Sequence, residues 1–94
     1  MINALLIHLQ DNVVVVTASV SADSPVSFVK QGVETQILAV EDIPVYHKVA
    51  IRDIARGEQV KKYGHVIGTA SQDIGIGEHV HCHNIVSPSR KAEL

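Results

Sequence analysis

Aromatic residues are nearly missing from this 94-residue chain: Phe28, Tyr46 and Tyr63 make up 3% of it, and there is no tryptophan. A core nearly without rings has to be assembled from Val, Ile, Leu and Ala. A single cysteine, Cys82, excludes an internal disulfide. No excess of charge exists either, since 8 Lys and Arg stand against 10 Asp and Glu. Nucleic acid and anionic membranes are therefore not expected as partners. The longest apolar runs, such as Val13–Val16, fall far short of the roughly 20 residues that cross a bilayer. The N-terminus shows neither a basic segment nor a small-residue cleavage site, so a cytoplasmic location is expected.

Hydrophobic residues supply 46% of the chain and charged residues 19%, as in a folded protein. The length allows one domain with an adequate core and no second catalytic domain. Residues 1–86 carry the structured pattern. The tail 87–94, Ser-Pro-Ser-Arg-Lys-Ala-Glu-Leu, reads as flexible.

The apolar pattern is that of strands. Ala4–Leu9 and Val13–Ala18 flank Gln10-Asp11-Asn12, whose Asp and Asn tolerate left-handed backbone angles, so a hairpin is expected. The β-branched Val13–Val16 run suits a strand covered on both faces. A second hairpin is expected where Ser27–Lys30 and Val33–Val40 meet at Gln31-Gly32, and a third reversal at Gly64. No sustained helical period occurs; at most one short helical turn is expected, around Ile51–Ala55.

The second half repeats itself. Asp53-Ile54-Ala55-Arg56-Gly57-Glu58-Gln59-Val60 aligns with Asp73-Ile74-Gly75-Ile76-Gly77-Glu78-His79-Val80 as Asp-Ile-x-x-Gly-Glu-x-Val. A weaker copy at 42–49 keeps Asp42, Ile43 and Val49 but carries Tyr46 at the bend. Three like corners imply a compact, folded-over β structure.

Of the 6 histidines, His79, His81 and His83 alternate within five positions. On a strand, alternate side chains share a face, so these imidazoles would project together while Val80, Cys82 and Asn84 face the other way. Such a row can converge on a divalent cation, or line a pocket that binds an anion and moves protons near neutral pH. The same alternation places Cys82 on the buried face as a small hydrophobe. Lys62-Tyr63 offers an ammonium and a phenol to a carboxylate; His47 and Arg52 are further polar candidates, and His8 and His65 read as lone histidines. Glycine loops for nucleotides, a serine nucleophile elbow and a paired-carboxylate couple are not evident.

Glu41-Asp42-Ile43-Pro44, the run His47–Glu58, Lys62-Tyr63-Gly64 with Ile67-Gly68, and Gly77–Asn84 together resemble the SAF domain of the altronate and galactarate dehydratases, a family that also includes the sulfolactate sulfo-lyase small subunit. The resemblance implies an all-β, β-clip domain. It also implies a lyase that removes water from an aldonic or aldaric acid, giving a 2-keto-3-deoxy acid, with a divalent metal such as Fe2+ that the larger chain can hold. By position, it implies catalytic roles for His81 and His83 and substrate contacts from His47, Arg52, Lys62, Tyr63 and Asn84; His79 falls where the family is looser, and the metal-ligand set His79, His81 and His83 rests on the strand alternation. Fused relatives continue into a large catalytic region, so a large dehydratase subunit is the expected partner, alongside a sugar-acid substrate and self-association into a homo-oligomer. The competing readings are a sugar-acid or carbohydrate-binding module without chemistry, a sulfo-lyase small subunit, and a self-associating scaffold.

Overall fold

The computed structural model describes residues 1–87; the expected tail, from residue 88 onward, lies outside the described residues. Among the described residues nine short strands follow one another. They are β1 (Ala4–Leu5), β2 (Val13–Val16), β3 (Pro25–Lys30), β4 (Val33–Leu38), β5 (Lys48–Ala50), β6 (Gln59–Lys62), β7 (His65–Ala70), β8 (His79–Val80) and β9 (Ile85–Val86). All pairing is antiparallel, in a central sheet ordered β1-β2-β5-β8, a β3-β4 hairpin and a β6-β7-β9 sheet. The all-β expectation holds, with no helix among the described residues.

The central sheet is the middle layer. Val14, Val16 and Val49 face one way and join Val26, Phe28 and Ala39 of the β3-β4 side in one core. Val13, Ala50 and Val80 face the other way and join Val60, Ala70 and Ile74 in a second core. The valine run is therefore buried on both faces, and its β-branched side chains fill both cores without any need for rings. Phe28, the one phenylalanine, is 2% exposed.

Two hairpins turn where the sequence indicates. Gln31 and Gly32 have φ of 51° and 79°, and Tyr63 and Gly64 have 57° and 74°, so both central residues are left-handed as a two-residue hairpin requires. The first hairpin is shorter than expected. β1 stops at Leu5, and residues 6–12 form a loop closed by Asp11, whose N–H donates to the His8 carbonyl at 2.9 Å. The Asp11 carboxylate, 3% exposed, accepts backbone N–H bonds from His8 (3.1 Å), Tyr63 (2.9 Å) and Gly64 (2.8 Å). The loop thus spends its acidic side chain on holding the distant β6-β7 turn.

The expected helical turn at Ile51–Ala55 is not formed. Its amides are claimed by other segments: the Ile51 N–H donates to Asn12 and the Ile54 N–H to Ile74.

The corners are real, and there are four rather than three. Ser19–Val26 follows the same course as the copies at 42–49, 53–60 and 73–80: a bridging residue, a turn, a left-handed bend and a buried valine opening the next strand. The bend residues Asp23, Tyr46, Gly57 and Gly77 have φ of 67°, 66°, 91° and 89°. The corners bridge in pairs, Val20 with Ile43 and Ile54 with Ile74. The conserved chemistry of the repeat is structural. Asp42, Asp53 and Asp73 each accept an N–H bond from the partner corner, from Ala22, Ile76 and Arg56 respectively. Glu58 and Glu78 accept from Ala55 and Gly75 within their own corner.

Candidate functional site

The second and fourth corners place the imidazoles. His47 ends one corner just before β5, and His79 opens β8 directly across from Val49 of β5. His47 and His79 thereby meet across 32 residues of sequence, with Nδ1 of His47 and Nε2 of His79 2.8 Å apart, one nitrogen protonated and the other accepting. His81 stacks on both: its ring centroid lies 4.7 Å from that of His47 and 5.5 Å from that of His79. One ring nitrogen from each of His47, His79 and His81 falls within 4.8 Å of the other two. His83 approaches only His79, at 5.5 Å between centroids.

The row of histidines is not a continuous strand. β8 ends at Val80, and the chain turns through residues 81–84, where the His81 carbonyl accepts N–H bonds from Asn84 (3.0 Å) and Ile85 (3.2 Å). Alternation therefore fails past Val80, and Cys82, expected on a buried face, is exposed. The turn still brings His81 back over His79, so the imidazoles converge by curling rather than by pleating.

Asn84 makes that curl. Its side chain is 1% exposed; the amide donates to the His79 carbonyl at 2.8 Å and its oxygen accepts from the His81 N–H at 3.0 Å. Buried, it directs both its oxygen and its amide nitrogen to the backbone of this turn. It fixes the backbone of the two histidines that precede it.

Burial, followed by the nearby imidazoles of His47, His83 and His81, holds the His79 pKa below the usual imidazole range, with the Glu41 carboxylate opposing. A neutral imidazole in that position is a competent ligand and base. Glu41 is a residue that sequence reasoning missed; its carboxylate accepts the His79 backbone N–H at 3.1 Å.

The donor set suits a divalent transition metal. Imidazole nitrogens without thiolates or several carboxylates match Fe2+, Zn2+ or Co2+ and not the oxygen-seeking Mg2+ or Ca2+. The clustered set, however, is His47, His79 and His81, with His47 in the place that the sequence assigns to His83.

The remaining candidates gather elsewhere. Arg52 lies past the far end of β5 from His47 and donates to the Gln10 carbonyl at 3.2 Å. Lys62 rests its ammonium 4.6 Å from the Tyr63 ring centroid, on the turn that Asp11 pins. Arg52, Lys62 and Tyr63 are thus organised by the loop at residues 6–12 and not by the imidazole cluster. His8 packs against Gly64 in this second group. Between the third and fourth corners a depression is lined by Asp53, Glu58, Asp73 and Glu78, but each of those carboxylates already accepts the backbone bond described above.

Comparison with known proteins gives a family and several relatives. A family model described as altronate/galactarate dehydratase SAF domain matches residues 2–88. An altronate dehydratase of Escherichia coli (strain K12) is 44% identical over 78 residues, and one of Bacillus subtilis (strain 168) is 38% identical over 78 residues. Each match takes 83% of this chain and 15% of the relative. The chain therefore spans about 15% of the length of these dehydratases. The (2R)-sulfolactate sulfo-lyase subunit alpha of Chromohalobacter salexigens is 56% identical over 43 residues, 46% of either protein.

Proposed function

The chain belongs to the altronate/galactarate dehydratase SAF-domain family, and from that premise we propose that it is the small part of a sugar-acid hydro-lyase. In this reading it docks on a larger catalytic chain and lends its imidazole cluster to a shared site. The carrying observation is the mutual contact of His47, His79 and His81 at a partly open surface, where His81 is exposed and the other two are half-buried. Within these residues such rings have only one wall. The small share that the chain takes of its dehydratase relatives fits a second wall supplied by a partner.

Dehydration of an aldonic or aldaric acid removes a proton beside a carboxylate and expels the neighbouring hydroxyl as water. A divalent metal, when bound, would supply Lewis acidity toward the carboxylate and the developing enediolate charge. The chain's own residues would handle protons and charge. The neutral His79 holds its partners in place and His81 stacks on two rings, while His83, exposed at the rim beside the His79 ring, can take or give a proton. Arg52, Lys62 and Tyr63 form a separate polar group suited to a carboxylate or hydroxyls at the edge of the same interface.

A second reading is favoured by one observation. The 56% identity to a (2R)-sulfolactate sulfo-lyase subunit alpha exceeds that to the altronate dehydratases, though over fewer residues. The corresponding substrate would be a sulfonated hydroxy acid, with sulfite leaving in place of water. Mixing the chain with a large dehydratase-type chain and assaying altronate, galactarate and sulfolactate separates the two. Dehydration that appears only in the mixture, and disappears with His81→Ala, supports the first reading. Sulfite release alone selects the second. A mixture inactive on all three, with both chains folded and bound to each other, leaves a carbohydrate-acid binding module.

A further inference from the structure

The four clustered imidazoles are not equivalent, and their arrangement says which of them a metal would use. Three nitrogens already lie within 4.8 Å of one another on His47, His79 and His81. Metal–imidazole bonds of about 2.0–2.1 Å place ligand nitrogens roughly 3.3 Å apart. The His47–His79 pair, at 2.8 Å, need open by only about half an ångström. The hydrogen bond between them is the one contact that a cation would replace.

The backbone under these rings is fixed from several sides. The Val16 N–H donates to the His47 carbonyl at 3.0 Å, and the Tyr46 N–H to the Val16 carbonyl at 2.8 Å. Asn84 ties the His79 carbonyl to the His81 N–H, and Glu41 takes the His79 N–H. Gly77, two residues before His79, approaches Leu38 so closely that a Cβ would strike the Leu38 carbonyl oxygen. Rings mounted on such a frame lose little freedom when they bind, which is what separates a preorganised site from a chance cluster. His83 is mounted differently. It lies inside the turn, exposed, and touches only the His79 ring.

We propose that this chain binds one divalent transition-metal ion by itself, through His47, His79 and His81, and that His83 stays off the metal. The proposal deepens the lyase reading by placing the metal on the small chain, yet it is read out without turnover. Three imidazoles leave at least one coordination position open, the arrangement of a catalytic rather than a structural site.

The test is a Co2+ titration of the purified chain followed by visible absorption, with Zn2+ competition and thermal melting alongside. A Cys82→Ser background removes the exposed thiol as a competing ligand. Expected are one equivalent of Co2+ with d–d bands of an imidazole site, displacement by Zn2+, and a melting temperature that rises with free metal. Loss of an outer partner already costs about 10–100-fold in affinity, so His47→Ala and His81→Ala should each weaken binding by about 100-fold or more. His83→Ala should change it less than about threefold, a margin well inside that outer-partner effect. His81 is exposed, so His81→Ala keeps the test valid if His47→Ala disturbs the fold. Binding lost in His83→Ala but kept in His47→Ala would overturn the ligand set. Wild-type affinity no greater than that of the His79→Ala, His81→Ala double variant would overturn the site. Failure here leaves the mixing experiment untouched, because a large chain can bring its own metal.

Discussion

Asn84 holds His79 and His81 in one turn, donating to the carbonyl of the first at 2.8 Å and accepting from the N–H of the second at 3.0 Å. Without it a part-buried carbonyl and N–H lose their partners together. Each unsatisfied group costs about 1–3 kcal/mol, so Asn84→Leu is expected to destabilise the fold by about 2–5 kcal/mol. Asn84→Asp retains the acceptor but loses the donor, and should fall between Leu and wild type. Urea unfolding measures all three. A Leu variant as stable as wild type would mean that the turn closes without the amide.

Tyr46 occupies a left-handed bend, φ 66°, at the position filled by Gly57 and Gly77 in the corresponding corners. A tyrosine there costs about 1–2 kcal/mol relative to glycine, partly offset by the greater freedom glycine has when unfolded. It is 72% exposed, so no burial compensates. Tyr46→Gly is therefore expected to stabilise the chain by about 0.5–1 kcal/mol. The ring adjoins the imidazole cluster in sequence, and strain kept at such a place points to use. In the proposed lyase, activity of the mixture with the large chain should fall while stability rises. Gly77→Ala is the contrasting case, because the added methyl would meet the Leu38 carbonyl oxygen as well as the strained φ; it should cost about 2 kcal/mol or more. Urea midpoints for the two variants moving in the same direction would refute this account of the bends.

The contrast between Tyr46 and Gly77 also shows what was legible beforehand. The repeat was visible because Asp, Ile, Gly and Glu each have a fixed job: Asp caps and Ile bridges the partner corner, while Gly bends and Glu caps its own. The corner at 19–26 escaped notice because Ser19, Val20, Asp23 and Ser24 stand where the clear copies carry Asp, Ile, Gly and Glu. Asp23 reaches the left-handed bend as Asp often does. The imidazole site was half legible. Alternation marked His79, His81 and His83, but alternation assumes a strand, and the chain turns after Val80. The partner that replaces His83 is His47, brought in by a register between β5 and β8 that no local pattern encodes. Asp11 gave no signal at all, since its three N–H donors come from the far side of its own loop and from a turn over 50 residues away.

Lys48 is the half-buried cation whose charge the fold resists. It stands on β5 between Val15 and Val80, and burial first, then repulsion from the Lys62 ammonium, lowers its pKa from 10.5. Among the described residues neither ammonium has a carboxylate partner. A lowered lysine pKa means that the folded state disfavours the proton. The penalty is complete wherever both states are protonated, and it is relieved as pH rises from the lowered folded value towards the unfolded 10.5. Lys48→Met keeps the aliphatic stem and removes the charge, so at pH 7 it should melt higher than wild type. That advantage should narrow as pH is raised towards 10.5. Other groups that titrate in alkali are common to both proteins, so the difference between their melting temperatures isolates Lys48. A difference that stays constant across the range, or one in which the methionine variant melts lower at neutral pH, would show that the ammonium is compensated in the fold.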